Sequence, residues 1–195
     1  MRLFLWLQEK RLVQEEEKHL KKIEELINYV KKVRKNKVDI KKTARLILAV
    51  IVCQATGLIG SLFTFPAIGG WYVALQKPWF GPPNFVFAPA WITLYTLMGI
   101  AAFLVWEKGI QRKDVRSAML FFGLQLGLNS IWSIIFFGFR NPMLAFIEIV
   151  FLWLAIGITT RKFYIINKRA AYLMLPYLAW VSFAALLNLS IWLLN

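Results

Sequence analysis

The chain has 195 residues, is 59% hydrophobic with a mean hydropathy of +0.57, and carries a formal charge of +14. A soluble domain of this length has too little interior for so much apolar surface, and the strand-like alternation of a membrane barrel is absent, which leaves an all-α integral membrane protein. A single cysteine, Cys53, excludes an intrachain disulfide and a cysteine-based metal cluster.

The opening "MRLFLWLQEKR" holds only five consecutive apolar residues. That is too few for a signal-peptide core, so the N-terminus is expected to be retained. Residues 1–42 read as a charged cytoplasmic extension. Within residues 8–42, Leu20, Ile23, Ile27 and Val30 recur at 3-4-3 spacing among Glu and Lys, which predicts a solvent-exposed amphipathic helix. A short coiled coil, a membrane-surface contact and a plain solvated tether all remain open for it. His19, the only histidine, has no Cys or His neighbour and reads as a surface residue.

Five apolar windows follow, at about 46–65, 85–106, 118–139, 143–160 and 170–194, each long enough to cross the hydrocarbon layer as a helix. The predicted fold is a five-helix transmembrane bundle, residues 46–195, behind the charged extension. Residues 1–45 hold 14 Lys/Arg against seven Asp/Glu. Loop 107–117 adds Lys108, Arg112, Lys113 and Arg116, and loop 161–169 adds Arg161, Lys162, Lys168 and Arg169. The alternate connections carry only Lys77 and Arg140. The positive-inside rule therefore places the N-terminus and both basic loops in the cytoplasm, with the 66–84 loop and the C-terminus on the opposite face. Anionic lipid, rather than nucleic acid, is the partner this charge calls for. No internal repeat supports a repeat-built transporter. The short loops predict that successive helices are antiparallel neighbours.

The long connection 66–84 leads into "WYVALQKPWFGPPNFVFAPAW", residues 71–91, with three tryptophans and four prolines. Its prolines rule out a regular helix through most of it, and a long ordered loop in a compact protein tends to be functional.

Three spans carry polar or aromatic stripes at i, i+4 spacing: Trp91, Tyr95 and Gly99; Gln125, Asn129 and Ser133, with Trp132 one step round; and Trp180, Ala184 and Asn188. Polar groups in lipid need partners, so these faces are expected to point into the bundle and line an apolar pocket with few hydrogen-bonding groups. Plain packing accounts for the deeper tryptophans equally well, and an interfacial belt for Trp71, Trp79, Trp106 and Trp192. Glu148 is the one acidic residue inside a span; a structural role, near its helix N-terminus and hydrogen-bonded across helices, is the expectation. Gly123 and Gly127 form a GxxxG that permits close helix approach, in a homodimer or within the chain. No phosphate loop, nucleophile triad or metal site is present, and the catalytic residues of any enzymatic role are not legible.

The stretch "WYVALQKPWFGPPNFVFAPAWITLYTLMGIAAFLVW", with "QLGLNSIWSIIFF" and "PYLAWVSFAALLNLSIWLLN" later in the chain, resembles the translocator protein (TspO/MBR) family of tryptophan-rich sensory and peripheral-type benzodiazepine receptor-like proteins, in order over about residues 46–195. The resemblance implies a five-helix bundle, often homodimeric, whose pocket opens toward the first loop and binds porphyrins, including protoporphyrin IX. It places Trp91 and Trp180 at aromatic pocket positions, Ala184 at the small residue beside the ligand and Asn188 at the amide of the "LN" pair. Trp71, Lys77, Pro78, Pro82 and Pro83 fall on the loop that covers the pocket, and Trp79 is expected to lie over its mouth with Trp71. Phe85 stands where the family often has Trp, the cholesterol motif of animal members is absent, and the charged extension has no counterpart.

The expected function is thus a membrane tetrapyrrole-binding sensor or carrier that needs no cofactor, with Asn129 or Asn188 as hydrogen-bonding partners of the ligand. A light-dependent enzyme degrading protoporphyrin IX is the alternative, and a transporter or lipid-organising bundle a third. The spans hold no histidine, so haem would bind there without a histidine ligand.

Overall fold

A computed structural model describes the backbone of residues 2–195 and the side chains of residues 17–33 and 40–195. Among the described residues the chain forms helices and connections without a strand: α1 (Arg2–Ile68), α2 (Trp71–Ala74), α3 (Phe87–Trp106), α4 (Lys113–Ser133), α5 (Pro142–Ile166) and α6 (Lys168–Leu194). A single 3-10 turn, Asn84–Val86, leads into α3, and α4 ends in a wider π-helical turn, Ile134–Gly138. The chain divides into two units, residues 1–44 and 45–195. In the first, Leu20, Ile23, Ile27 and Val30 are all exposed, as their amphipathic spacing predicts. The predicted side-chain pattern over 8–16 and 34–39 lies outside the described residues.

Among the described residues, five helical stretches are long and apolar enough to cross a membrane: Ile40–Ile68, Asn84–Trp106, Lys113–Gly138, Pro142–Ile166 and Lys168–Leu194. They outrun the apolar windows, and the expected loop 161–169 shrinks to the single residue Asn167. Backbone groups must stay paired through the interface, and lysine stems lie along the helices while their ammonium groups find partners. Lys162 donates to Ser117 Oγ at 3.0 Å and lies over the Phe121 ring, and Lys168 covers Tyr164. Asn141 and Asn167 cap α5 and α6 by accepting from the Leu144 and Arg169 backbone N–H groups, with Pro142 at the first helical position of α5.

The helices of residues 45–195 form a ring in the order α1, α3, α6, α5, α4. Helix α5 packs on both α4 and α6, and the main neighbour of α3 is α6 rather than its chain successor α4. The short 107–112 link thus fixes direction but not adjacency. Helices α3 and α4 meet along the axis behind α1, where Tyr95 bonds Asn129 and Met98 meets Gln125. Helix α1 closes the ring: Gln54 Nε2 donates to the Ile92 carbonyl and to Thr96 Oγ1, both at 3.0 Å, and Ser130 Oγ donates to the Thr56 carbonyl at 3.4 Å. The approach of α1 to α3 depends on Gly99, where a Cβ would stand 2.6 Å from Val50 Cα.

Arg45 bonds Glu107 at 2.8 Å, which places the start of the second unit beside the 107–112 link at one end of the bundle. At the other end, Asn195 exchanges two 3.0 Å hydrogen bonds with the Gln76 backbone and ties the long connection to the tip of α6. A central apolar core includes Met98, Phe122, Ile149, Leu152, Phe163 and Tyr177. A smaller cluster of Tyr72, Phe136, Ala145, Leu187 and Ile191 sits toward the connection.

Candidate functional site

The connection between α1 and α3 is held by aromatic seats on α6. Trp180, Phe183 and Leu187 share one face of that helix. Phe87 meets Trp180 edge-on at 6.1 Å, Phe80 meets Phe183 at 6.2 Å, and the Gly81 backbone passes over Leu187. A turn closed by the Gly81 N–H donating to the Pro78 carbonyl at 3.0 Å precedes Pro82 and Pro83, which fix φ and lack N–H groups. Upstream, Trp71 and Tyr72 anchor the connection on Phe136 at 5.7 and 6.3 Å. Lys77 lies over the Tyr72 ring at 4.7 Å. Burial holds the Tyr72 phenol above its ordinary pKa. Trp79 differs from expectation: it is 96% exposed, and its one ring contact among the described residues is edge-on with Phe80, which has taken the seat on α6.

The remaining sequence-predicted residues form two groups inside the bundle. In one, Tyr95 donates its hydroxyl to Asn129 Oδ1, and Asn129 Nδ2 donates to the Tyr177 hydroxyl at 3.1 Å. Trp91 stacks on Tyr95 at 5.4 Å and meets Tyr177 and Trp180 edge-on at 6.3 and 6.5 Å. In the other, Trp132 and Asn188 are hydrogen-bonded at 3.1 Å. Ala184 packs half-buried against the central core. The stripes do face inward: Tyr95, Gly99, Gln125, Asn129 and Asn188 are buried. Trp91 and Trp180 keep indole N–H groups with no hydrogen-bond partner among the described residues.

An open-sided cavity of about 840 Å³ lies between α3 and α6 at the end of the connection. Pro82, Phe85 and Val86 roof it, Pro89, Ala90, Thr93 and Leu94 form its α3 wall, and Pro176, Ala179, Trp180 and Phe183 form its α6 wall. Of the residues expected at the site, only Trp180 and Pro82 line it; Trp180 stands between this cavity and the interior cluster of Trp91. Sequence reasoning missed Pro176, Ala179 and Phe183, and noted Phe85 only as standing where the family often has Trp. The available signal was the small or N–H-less residues at facing positions, Pro89 and Ala90 against Pro176 and Ala179, which leave a gap between two helices. The lining is almost wholly apolar, and the hydroxyl of Thr93 is already bonded to the Pro89 carbonyl at 2.9 Å. Such a site holds an apolar ligand by shape and aromatic contact.

Glu148 departs from its structural expectation. It is the seventh residue of α5, beyond the first turn where the helix dipole acts, and neither carboxyl oxygen has a hydrogen-bond partner among the described residues. Gly123 and Gly127 are exposed with no neighbouring atom where a Cβ would stand, so the GxxxG face is open rather than packed within the chain. No three His, Cys, Asp or Glu side chains come together among the described residues.

The family model described as the TspO/MBR family matches residues 49–193. Tryptophan-rich protein TspO of Archaeoglobus fulgidus is 43% identical over 151 residues, which cover 77% of this chain and 97% of that protein. The human translocator protein is 40% identical over 136 residues, 69% of this chain and 80% of its own. The tryptophan-rich sensory protein of Cereibacter sphaeroides is 36% identical over 125 residues, covering 64% and 77%. With five membrane-spanning helices and this match through all of them, the chain belongs to the TspO/MBR family and is an integral, multi-pass membrane protein.

Proposed function

We propose that the protein binds a tetrapyrrole such as protoporphyrin IX and acts as a membrane sensor or carrier of it. The observation that carries this reading is the 840 Å³ cavity at the end of the proline-rich connection, walled by Trp180, which itself contacts Trp91. Its volume falls in the range of small-molecule sites, and its apolar, aromatic lining suits a flat conjugated ring. The unpaired indole N–H groups of Trp91 and Trp180 are donors for a polar edge of the ligand. Lys77, five residues before Pro82, is a cation for a propionate. The names of the relatives above, tryptophan-rich sensory protein and translocator protein, agree with a sensor or carrier.

The test is titration with protoporphyrin IX in the dark, followed by tryptophan fluorescence. Trp180→Phe with Ala179→Leu is expected to weaken binding about tenfold or more, since it removes a donor and fills space in the cavity wall. Unchanged binding overturns the reading. Contact running from Tyr95 through Trp91 to Trp180 and Tyr177 favours a second reading, light-dependent degradation of the bound ring with dissolved dioxygen as the oxidant and these residues as electron-transfer partners. Illumination separates the two: loss of porphyrin absorbance beyond a free-porphyrin control selects the enzyme, and its absence selects the binder.

We also infer that the end bearing Arg45 and the 107–112 link is cytoplasmic, so that the cavity roof and C-terminus lie on the opposite face. The open glycine face of α4 is the proposed homodimer seam.

A further inference from the structure

Every residue from 17 to 32, in the first unit, is exposed. Among them Leu20, Ile23, Leu26, Ile27 and Val30 keep 46–65% of their surface open. A contiguous apolar stripe on a helix in water marks a face that something covers.

The spacing says what kind of face it is. Written as a heptad abcdefg with Glu17 at e, the segment places Leu20 and Ile27 at a, Ile23 and Val30 at d, and His19, Leu26 and Val33 at g. Every b, e and f position carries a charge or an amide. The a, d and g positions share one arc of about 120° on the helix surface, the pattern of a coiled-coil seam with one broadened flank.

Charge decides between a bilayer and a second helix. A helix lying on anionic lipid is bordered by Lys or Arg, but here Glu17 and Glu24 border the arc at e. Residues 17–33 hold five Lys against three Glu, and the basic residues that suit lipid, Arg34, Lys35, Lys37, Lys41 and Lys42, come after the stripe instead. Two copies of this chain in one membrane insert in the same orientation, so these segments run parallel from equivalent positions. In a parallel pair each g residue faces the next e residue of the other copy. His19 then meets Glu24 and Leu26 meets the stem of Lys31, with no like charges opposed. The remaining lysines sit at b, c and f, away from the seam.

We propose that residues 17–33 are a docking face for a second copy of this chain, a parallel, in-register coiled coil with Leu20, Ile23, Ile27 and Val30 in the seam. Two heptads are short, and confinement in one membrane supplies an effective concentration that dilute detergent does not. The inference rests neither on the tetrapyrrole reading nor on the glycine face of α4.

The experiment is disulfide formation in the full chain, reconstituted in phosphatidylcholine vesicles containing phosphatidylglycerol, so that the bilayer surface competes for the face. Copper phenanthroline is the oxidant. Leu20→Cys, Ile23→Cys and Ile27→Cys place thiols in the seam; Lys18→Cys, Glu25→Cys and Lys32→Cys place them at f. The parent, whose one cysteine, Cys53, is buried, is the blank. Crosslinking is expected to be about tenfold or more faster at the three seam positions, because only a and d bring matching residues of a parallel pair within disulfide reach. Ile27→Asp in the Leu20→Cys chain is expected to remove that advantage. Equal rates at all six positions, or no crosslinking at the seam because lipid or another protein covers it, overturns the proposal. Adding Gly123→Ile and Gly127→Ile is expected to leave the seam pattern in place; its disappearance would make the pairing a consequence of α4 contact and overturn the proposal as well.

Discussion

The indole nitrogen of Trp132 on α4 donates to the side-chain oxygen of Asn188 on α6 at 3.1 Å, and the nitrogen of the same amide donates to the Pro142 carbonyl of α5 at 2.8 Å. One amide thus joins three helices where neither lipid nor bulk water can replace it. Asn188→Leu leaves an indole N–H and a carbonyl unpaired and is expected to cost about 1–2 kcal/mol. Trp132→Phe removes only one of the two bonds. Thermal unfolding in detergent is expected to rank them in that order, with the double variant losing less than the sum of the two.

Gly99 and Gly123 are both glycines of membrane helices with opposite surroundings. A Cβ on Gly99 meets the Val50 backbone at 2.6 Å, while one on Gly123 meets nothing within 4 Å. Backbone cannot swing aside as a side chain can, so Gly99→Ala is expected to destabilise by about 2 kcal/mol or more. Gly123→Ala is expected to stay within about 0.5 kcal/mol of the parent. Comparable melting temperatures for the two variants would show that α1 does not depend on close approach to α3.

If the open face of α4 is a dimer seam, bulky side chains there abolish it without touching the fold. Gly123→Ile combined with Gly127→Ile is expected to shift the detergent-solubilised protein from dimer to monomer in light scattering, with helicity unchanged.

The connection over the cavity is tied down by Asn195, whose side chain bonds both the N–H and the carbonyl of Gln76. Asn195→Ala is expected to speed amide hydrogen exchange at Gln76 about fivefold to tenfold, the effect of one or two lost hydrogen bonds. Exchange at the α5 core is expected to stay as it was.

Tyr72 adds a pH dependence to the same region. Burial raises its phenol above the ordinary value of 10.0, so the folded protein keeps the proton at a pH where the unfolded chain releases it. Folding is therefore unaffected by this group below the unfolded value and loses stability as pH rises above it. Tyr72→Phe is expected to flatten the alkaline part of the stability curve, measured as melting temperature against pH.

Much of this molecule was legible in its residues. Window length and hydropathy located five spans, and Lys and Arg sorted the connections into two ends, because bilayer thickness and charge burial act on one helix at a time. The i, i+4 stripes of Tyr95 and Gly99, of Gln125 and Asn129, and of Asn188 were correctly read as inward because an unpaired polar group in lipid must find a partner within the bundle. Helix ends were misplaced by several residues at Arg161 and Lys168, since charged side chains continue a helix through the interface.

What the sequence by itself determined is the number, direction and polar faces of the helices; what the tertiary structure decided is which of them are neighbours and where space is left between them. In helices apolar nearly all round, lipid-facing and core-facing positions look alike, so no periodicity marked Pro176, Ala179 and Phe183 as a wall or made α6 the partner of α3. The same holds for the connection, whose composition could not tell that Phe80 would take the seat on Phe183 and leave Trp79 outside. Such choices follow from the fit of one surface to another, which exists only once the helices have come together.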